Sequence, residues 1–344
     1  MNTTYAQIYD TLGLNISHLK TAALFSDYST LIGQLNKQNA KVLTVGAALA
    51  IQKNFALNEA FIDNITATFG AQVFVEDFSG NASSSTTQID NWVSDETHTD
   101  IVPLFNGSMP ANTGASLLNA LYFKAGWKTP FSVTEKSNFL RATSIFNYLT
   151  FSTGQLVEIP YSTPSSLSLY LFLPPVTFNG SAPISSLITS TKLEAAIASM
   201  KPETVDLTFP QFNTTSNLLN AETVLSKLGI VDAFTGSADF FAVNGDYNLR
   251  LSEMIDSKVV FKLSQLGTEV SAASGLILSP PEKKKKENKT VEFLEDYFLD
   301  DEELFLQNFD STATNFTADR PFLFLVRDTM TGLTLFSGVV KEFK

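Results

Sequence analysis

The stretch that most constrains this chain is Gly267 to Gly275, GTEVSAASG, which follows a β-patterned run from Lys258 to Leu263. Its side chains are mostly tiny, so the segment is free to stay extended in solvent or to slide between the strands of a crowded sheet. In a strand, alternate residues face opposite sides. Thr268, Val270, Ala272, Ser274, Leu276 and Leu278 then share one face, and Glu269, Ser271, Ala273, Gly275, Ile277 and Ser279 share the other. The first set is uncharged and ends in two leucines, which suits a core. The only charge falls in the second set, expected to face outward. Two readings stand: a segment that becomes a central strand, or a polar loop that remains in solvent.

Bulk properties narrow the classes. The chain has 344 residues, of which 44% are hydrophobic and 17% charged, a globular composition with a sizeable core. A net charge of −12 and a pI near 4.7 argue against nucleic acid as a partner, because phosphates repel such a surface. No apolar run reaches the length of a membrane span, and MNTTYAQIYD lacks the charged-then-apolar pattern of a signal peptide, so a soluble chain without a leader is expected. The absence of cysteine removes disulfides, thiol catalysis and cysteine-ligated metal. Asn-x-Ser/Thr acceptors at Asn2, Asn15, Asn64, Asn81, Asn106, Asn179, Asn213, Asn288 and Asn315 lean towards a secreted glycoprotein.

Periodicity gives a mixed α+β chain. Helices are expected at Thr4 to Leu12, Thr21 to Leu35, Asn58 to Phe69, Ser84 to Val93, Leu193 to Met200 and Ala221 to Leu228. Strands are expected at Lys41 to Gln52, Gln72 to Phe78, Ala115 to Trp127, Leu167 to Leu173 and Thr204 to Pro210. A hairpin pairs Phe322 to Val326 with Leu333 to Val340 around Thr331-Gly332. Between Pro280 and Ala318 the composition changes abruptly: four lysines, Lys283 to Lys286, precede VEFLEDYFLDDEELF. This is either an exposed insertion whose basic and acidic halves attract one another or a docking segment for a basic partner surface.

Catalytic chemistry is missing. His18 and His98 are far apart in polar contexts, and there is no phosphate loop, nucleophile elbow, metal-ligand spacing or dinucleotide fingerprint. The carboxylates Asp300, Asp301, Glu302 and Glu303 read as a solvated run. No enzyme, cofactor or metal is expected.

Several motifs resemble the serpin family, in family order: TTYAQIYDTLGLN, LLNALYFKAGWKTPF, VDLTFPQFN, VLSKLGIVDAFTGSADF, LSEMIDSKVVFKLSQLGTEVSAASG and FTADRPFLFLVRDTMTGLTLFSGVV. The resemblance implies one domain over residues 1–344, with three β-sheets, about seven to nine helices and an exposed reactive-centre loop. Residues 267–318 would be hinge and extended loop, with a charged insertion at 282–310. It further implies a monomeric, extracellular inhibitor of serine proteases. The target protease cuts the loop, and the segment after Gly267 inserts as a strand before the acyl-enzyme is released. Strand insertion of this kind is a general mode of recognition and of strain release.

The chain also departs from the family pattern. The first two helices are missing from its start, which implies apolar sheet surface left uncovered. Fewer residues than expected lie between Phe139 and Val157, which implies lost strands. Asn119 and Trp127 match the region where the sheet opens, but the usual histidine partner of Asn119 aligns with Asp256, and the usual glutamate before the hinge aligns with Gln265. The hinge includes Ser271; within it Gly267, Thr268, Glu269, Ala272 and Ala273 fit an inhibitory pattern, whereas Val270 stands where a smaller residue is preferred. The loop is longer than the norm by roughly thirty residues, worth tens of ångströms at 3.3 Å each. Counting from Gly267 puts the scissile bond at Pro281-Glu282, beside Lys283, Lys284, Lys285 and Lys286, which suit a trypsin-like enzyme. Counting back from Pro321 gives Asp310-Ser311. The alternatives are a non-inhibitory binding protein that keeps the fold, or a truncated paralogue without the activity.

Overall fold

The computed structural model describes residues 3–14, 21–105, 107–134, 138–162, 165–178, 183–218, 222–280 and 313–341. Its order is α1 (Thr3–Thr11), α2 (Thr21–Asn39), β1 (Leu43–Gln52), α3 (Glu59–Phe69), β2 (Gln72–Glu76), α4 (Phe78–Glu96), β3 (Ala115–Gly126), β4 (Ser132–Val133), β5 (Phe139–Phe151), β6 (Gly154–Pro160), β7 (Leu167–Leu173), α5 (Ser190–Ser199), β8 (Lys201–Pro210), β9 (Phe212–Leu218), α6 (Glu222–Lys227), α7 (Phe241–Asn244), β10 (Arg250–Ser264), β11 (Gly267–Ser279), β12 (Thr314–Thr317), β13 (Phe322–Asp328) and β14 (Thr334–Val340).

Local chemistry sets the helix ends. Asn58 caps α3 by accepting from the Ala60 amide, and Gly70 closes it in the left-handed region. Asp77 caps α4 through the Gly80 amide and is paired with Lys53 at 2.6 Å. α4 starts six residues before its expected Ser84, because a first turn runs into the helix across a kink at Asn81, whose φ/ψ is non-helical.

Two sheets carry the fold. The six-stranded sheet has the order β2-β1-β3-β11-β10-β9 and the eight-stranded sheet the order β12-β8-β5-β6-β7-β13-β14, with β4 on β5. The expected third sheet is not found among the described residues. The reason is β5: it pairs with β8 along Phe139 to Tyr148 and with β6 along Asn147 to Phe151, so one continuous strand joins what would otherwise be two sheets. β5 and β6 occupy the residues that remain between Phe139 and Val157. The largest core lies between the two sheets and includes Phe123, Phe261, Leu140, Phe209, Phe322 and Phe324. A second core packs α4 and the segment Ile101 to Met109 on the other face of the six-stranded sheet.

Candidate functional site

The GTEVSAASG stretch lies in the middle of the six-stranded sheet. β11 pairs antiparallel with β3 from Gly267↔Gly126 to Leu278↔Ala115, and antiparallel with β10 from Ser264↔Gly267 to Arg250↔Ser279, with one bulge in β10 between Leu251 and Ile255. Both edges of the segment are therefore bonded. Its faces are covered as well. Val270 is buried in the core between the sheets, Thr268 is buried beside Tyr161, and Leu278 is buried in a separate core with Ile65 of α3 and Phe234, while Ala272, Ser274 and Leu276 are half-buried. The other set was expected to face outward. Instead Ser271, Ala273, Gly275 and Ile277 are buried, because α4 and the segment after it roof that side.

At the entrance, Gly267 has φ +150, and a Cβ built there would collide with the Ala125 carbonyl. Only glycine passes this point without strain. Thr268 follows it, and its hydroxyl accepts a 2.9 Å hydrogen bond from the buried Tyr161 hydroxyl. Burial raises the Tyr161 phenol well above its ordinary range despite that bond. Trp127 stacks on Tyr161 with ring centroids 5.0 Å apart, and its Nε1 donates to the Ser264 carbonyl at 2.9 Å. Gln265 donates through Nε2 to the Phe131 carbonyl and through its amide to Gln211 Oε1. Trp127, Tyr161 and Gln265 thus hold the turn from which β11 departs.

Further along, Val270 is fully buried, opposite Phe123 on one side and Phe261 on the other. Glu269 lies in a row between Lys124 on β3 and Lys262 on β10. Tyr122 Oη donates to Glu269 Oε1 at 2.7 Å, Lys124 Nζ stands 3.3 Å from the same oxygen, and Lys262 Nζ stands 3.9 Å from Oε2. Burial pushes the Glu269 carboxyl up, but the hydrogen bonds from Tyr122 and Lys124 and the two lysine charges outweigh it and leave it below the usual carboxylate range. Ser271 Oγ donates to Asp100 Oδ2 at 2.8 Å, and Asp100 also pairs with Lys262. Deeper in the sheet, a Cβ on Gly275 would run into the Phe105 ring.

Asn119 pairs with Ser274, while Asp256 stands opposite Gly275 in the next row, so β11 separates their strands. On the side of Ala272 lies a cavity of about 770 Å³ lined by Asn119, Leu121, Phe212, Val259, Phe261, Phe324 and Phe336 among others. The acceptors Asn64, Asn81, Asn213 and Asn315 are exposed. Asn2, Asn15, Asn106, Asn179 and Asn288 lie outside the described residues, as do His18 and both scissile candidates, Pro281 to Lys286 and Asp310-Ser311. Among the described residues no group of His, Asp or Glu side chains is placed to hold a metal ion, and no helix is long and apolar enough to cross a membrane.

Tyr161, Tyr122, Lys262 and Asp100 escaped the sequence reading. They reach their partners on β11 from 7 to 171 positions away, and only the lysines' alternation with apolar residues on β3 and β10 hinted at a charged row.

β11 is seated in an unbroken chain. β12 pairs with β8, which runs on to Gln211 at the Gln265 turn, whereas Ser279 ends β11, a strand about 40 Å long at about 3.4 Å per residue. Residues 280–313 join the two, and thirty-four residues reach about 110 Å when extended.

Comparison with known proteins bears on this geometry. A family model described as "Serpin (serine protease inhibitor)" matches residues 1–342. Serpin A9 of Mus musculus is 27% identical, the match covering 98% of this chain and 77% of that protein. Alpha-1-antichymotrypsin of Pongo abelii is 28% identical over 80% of this chain and 68% of its own. Among solved structures, cleaved Serpin 42Da superposes with a TM-score of 0.81 at 20% identity, covering all of this chain and 87% of the other, a likeness that speaks to fold alone.

Proposed function

The chain belongs to the serpin family, and from that premise we propose that it inhibits a serine protease by loop cleavage and strand insertion. The protease attacks a bond in the segment beyond Ser279 and forms an acyl-enzyme with its own serine. The chain contributes no catalytic group. The seating of β11 between β3 and β10 then carries the acylated protease away from the cleavage point before water releases it. The observation that supports this reading is the seat itself: a strand of thirteen residues, with small side chains from Ser271 to Gly275, paired on both edges and passed through the narrow point at Gly267.

The bait is Pro281 to Lys286, and the lysines favour a trypsin-like enzyme. A cut at Asp310-Ser311 leaves so much slack that the protease stays undisturbed once the strand is in. Residues 1–344 act as one monomeric domain, with 267–318 as hinge and loop and 282–310 as the charged insertion. The protein works outside the cell, and glycosidase-sensitive mobility of the expressed protein tests the exposed acceptors Asn64, Asn81, Asn213 and Asn315. For inhibition, purified protein is mixed with trypsin and run on a denaturing gel. A covalent complex is expected; cleavage of every molecule without complex rules the reading out for that enzyme.

One observation favours a second reading, a non-inhibitory binding protein that keeps the fold. β11 is already seated while the chain is unbroken and β12 is still paired, and a connection of thirty-four residues is long enough to allow this. If that form dominates in solution, cleaving the loop releases no stored strain and leaves the melting temperature unchanged. A large rise on cleavage removes this reading.

A further inference from the structure

The row Lys124, Glu269, Lys262 places one carboxylate between two ammonium groups on the strands that flank β11. Closing β3 onto β10 without β11, at unchanged register, sets the two lysines side by side, a like-charge pair that opposes closure. Entry of Glu269 turns this repulsion into two attractions, and Tyr122 adds a donor on the same oxygen as Lys124. Register matters as well: a slip of one residue sends every side chain of a strand to the opposite face. It would carry Glu269 from this row into the core beside Phe123 and Phe261, and bring Val270 out among the lysines.

We infer that Lys124, Lys262 and Tyr122 are positioning residues that form a carboxylate socket for Glu269, setting the register of the loop strand and favouring its seating. The inference rests on the insertion reading above but does not require that a protease be trapped. Other charged and titratable groups face the socket from the segment after α4. Asp100 pairs with Lys262 and accepts from Ser271, so that Lys262 serves the roof and the strand together. His98 sets its ring edge-on to Tyr122 at 4.1 Å. The socket is partly open to solvent, since the Lys124 side chain is 63% exposed and that of Glu269 25%, so its contribution is modest and weakens with salt.

The test is hydrogen exchange of the amides from Thr268 to Leu278 in the full-length protein, at low and high ionic strength, with β7 amides as the control for intact folding. E269K puts three cations in one row and is expected to speed exchange in β11 about tenfold at low salt while β7 is unchanged. E269Q, which keeps an acceptor for Tyr122, should speed it about threefold. Reversing the outer partner in E269K/K124E, with Lys262 left to Asp100, is expected to restore most of the protection. Exchange in E269K equal to wild type, or a double variant no better protected than E269K, overturns the socket. Wild-type β11 without protection overturns the seating along with it. Protected β11 with intact charge dependence but no covalent complex with trypsin leaves the socket standing and removes the inhibitory reading alone.

Discussion

Val270→Asp puts the seating of β11 under the most severe single-residue test. Val270 is 0% exposed, with Phe123 and Phe261 opposite it, and the nearest cations, Lys124 and Lys262, project from the other face of the sheet. An aspartate there has no partner. To remain seated at pH 7 it must take up a proton, lifting its pKa from about 3.9 past 7, which costs about 4 kcal/mol at 1.36 kcal/mol per unit. Lost burial of the valine adds about 1.5 kcal/mol. The sum disfavours the seated strand by about four powers of ten at 1.4 kcal/mol each. The loop-cleaved variant should melt roughly 5–10 °C below loop-cleaved wild type. Its reaction with trypsin should pass to cleaved product with little covalent complex. Val270→Ala removes only two methyl groups and should cost about 2 kcal/mol, with trapping reduced but present. If the cleaved aspartate variant melts with wild type and traps protease equally well, Val270 is not buried in the working form and the reasoning fails.

Three further outcomes follow from the same slot. Gly267→Ala drives a methyl group into the Ala125 carbonyl at a positive φ, and should raise the fraction of protein cleaved without complex, as quantified by gel densitometry, while leaving the uncleaved protein folded. Tyr161→Phe strands the buried Thr268 hydroxyl and should lower the urea stability of the cleaved form by about 1–2 kcal/mol. For pH, the Asp206 carboxyl is held below its ordinary range by its hydrogen bonds from Arg141, which outweigh burial, and Glu269 is also depressed. A depressed native value means a contribution that is whole above the ordinary pKa, about 3.9 for Asp and 4.3 for Glu. It is lost as pH falls through the native value. The urea midpoint should therefore hold between pH 7 and 5 and fall below about pH 4, with Glu269→Gln removing part of the fall.

Much of this fold was legible because its strands carry contrast. Leu167 to Leu173 is apolar apart from Ser168 and is buried at every position, and the alternation from Thr268 to Leu278 assigned side chains to faces as observed. Alternation says nothing of what lies over a face, however. The roof on Ser271, Ala273 and Ile277 comes from α4 and Ile101 to Met109, far upstream, so that face was expected in solvent. β9 was missed for a different reason. FNTTSNL has almost no apolar contrast, and its place is fixed by pairing at the sheet edge with β10. β5 was hidden because its thirteen residues change partner midway, from β8 to β6, which a local pattern cannot report. At the site, Gly267, Thr268, Glu269 and Trp127 were visible in the order of residues and Lys262 was hinted at by alternation, whereas Tyr161 and Asp100 enter through tertiary approach alone.

The shortest route to the central claim is a set of cross-strand amide NOEs in the loop-cleaved protein. The account predicts contacts from Ala273 to Ala120 on one side and to Lys258 on the other, following the observed register. Direct contacts between β3 and β10, with none to β11, would contradict it.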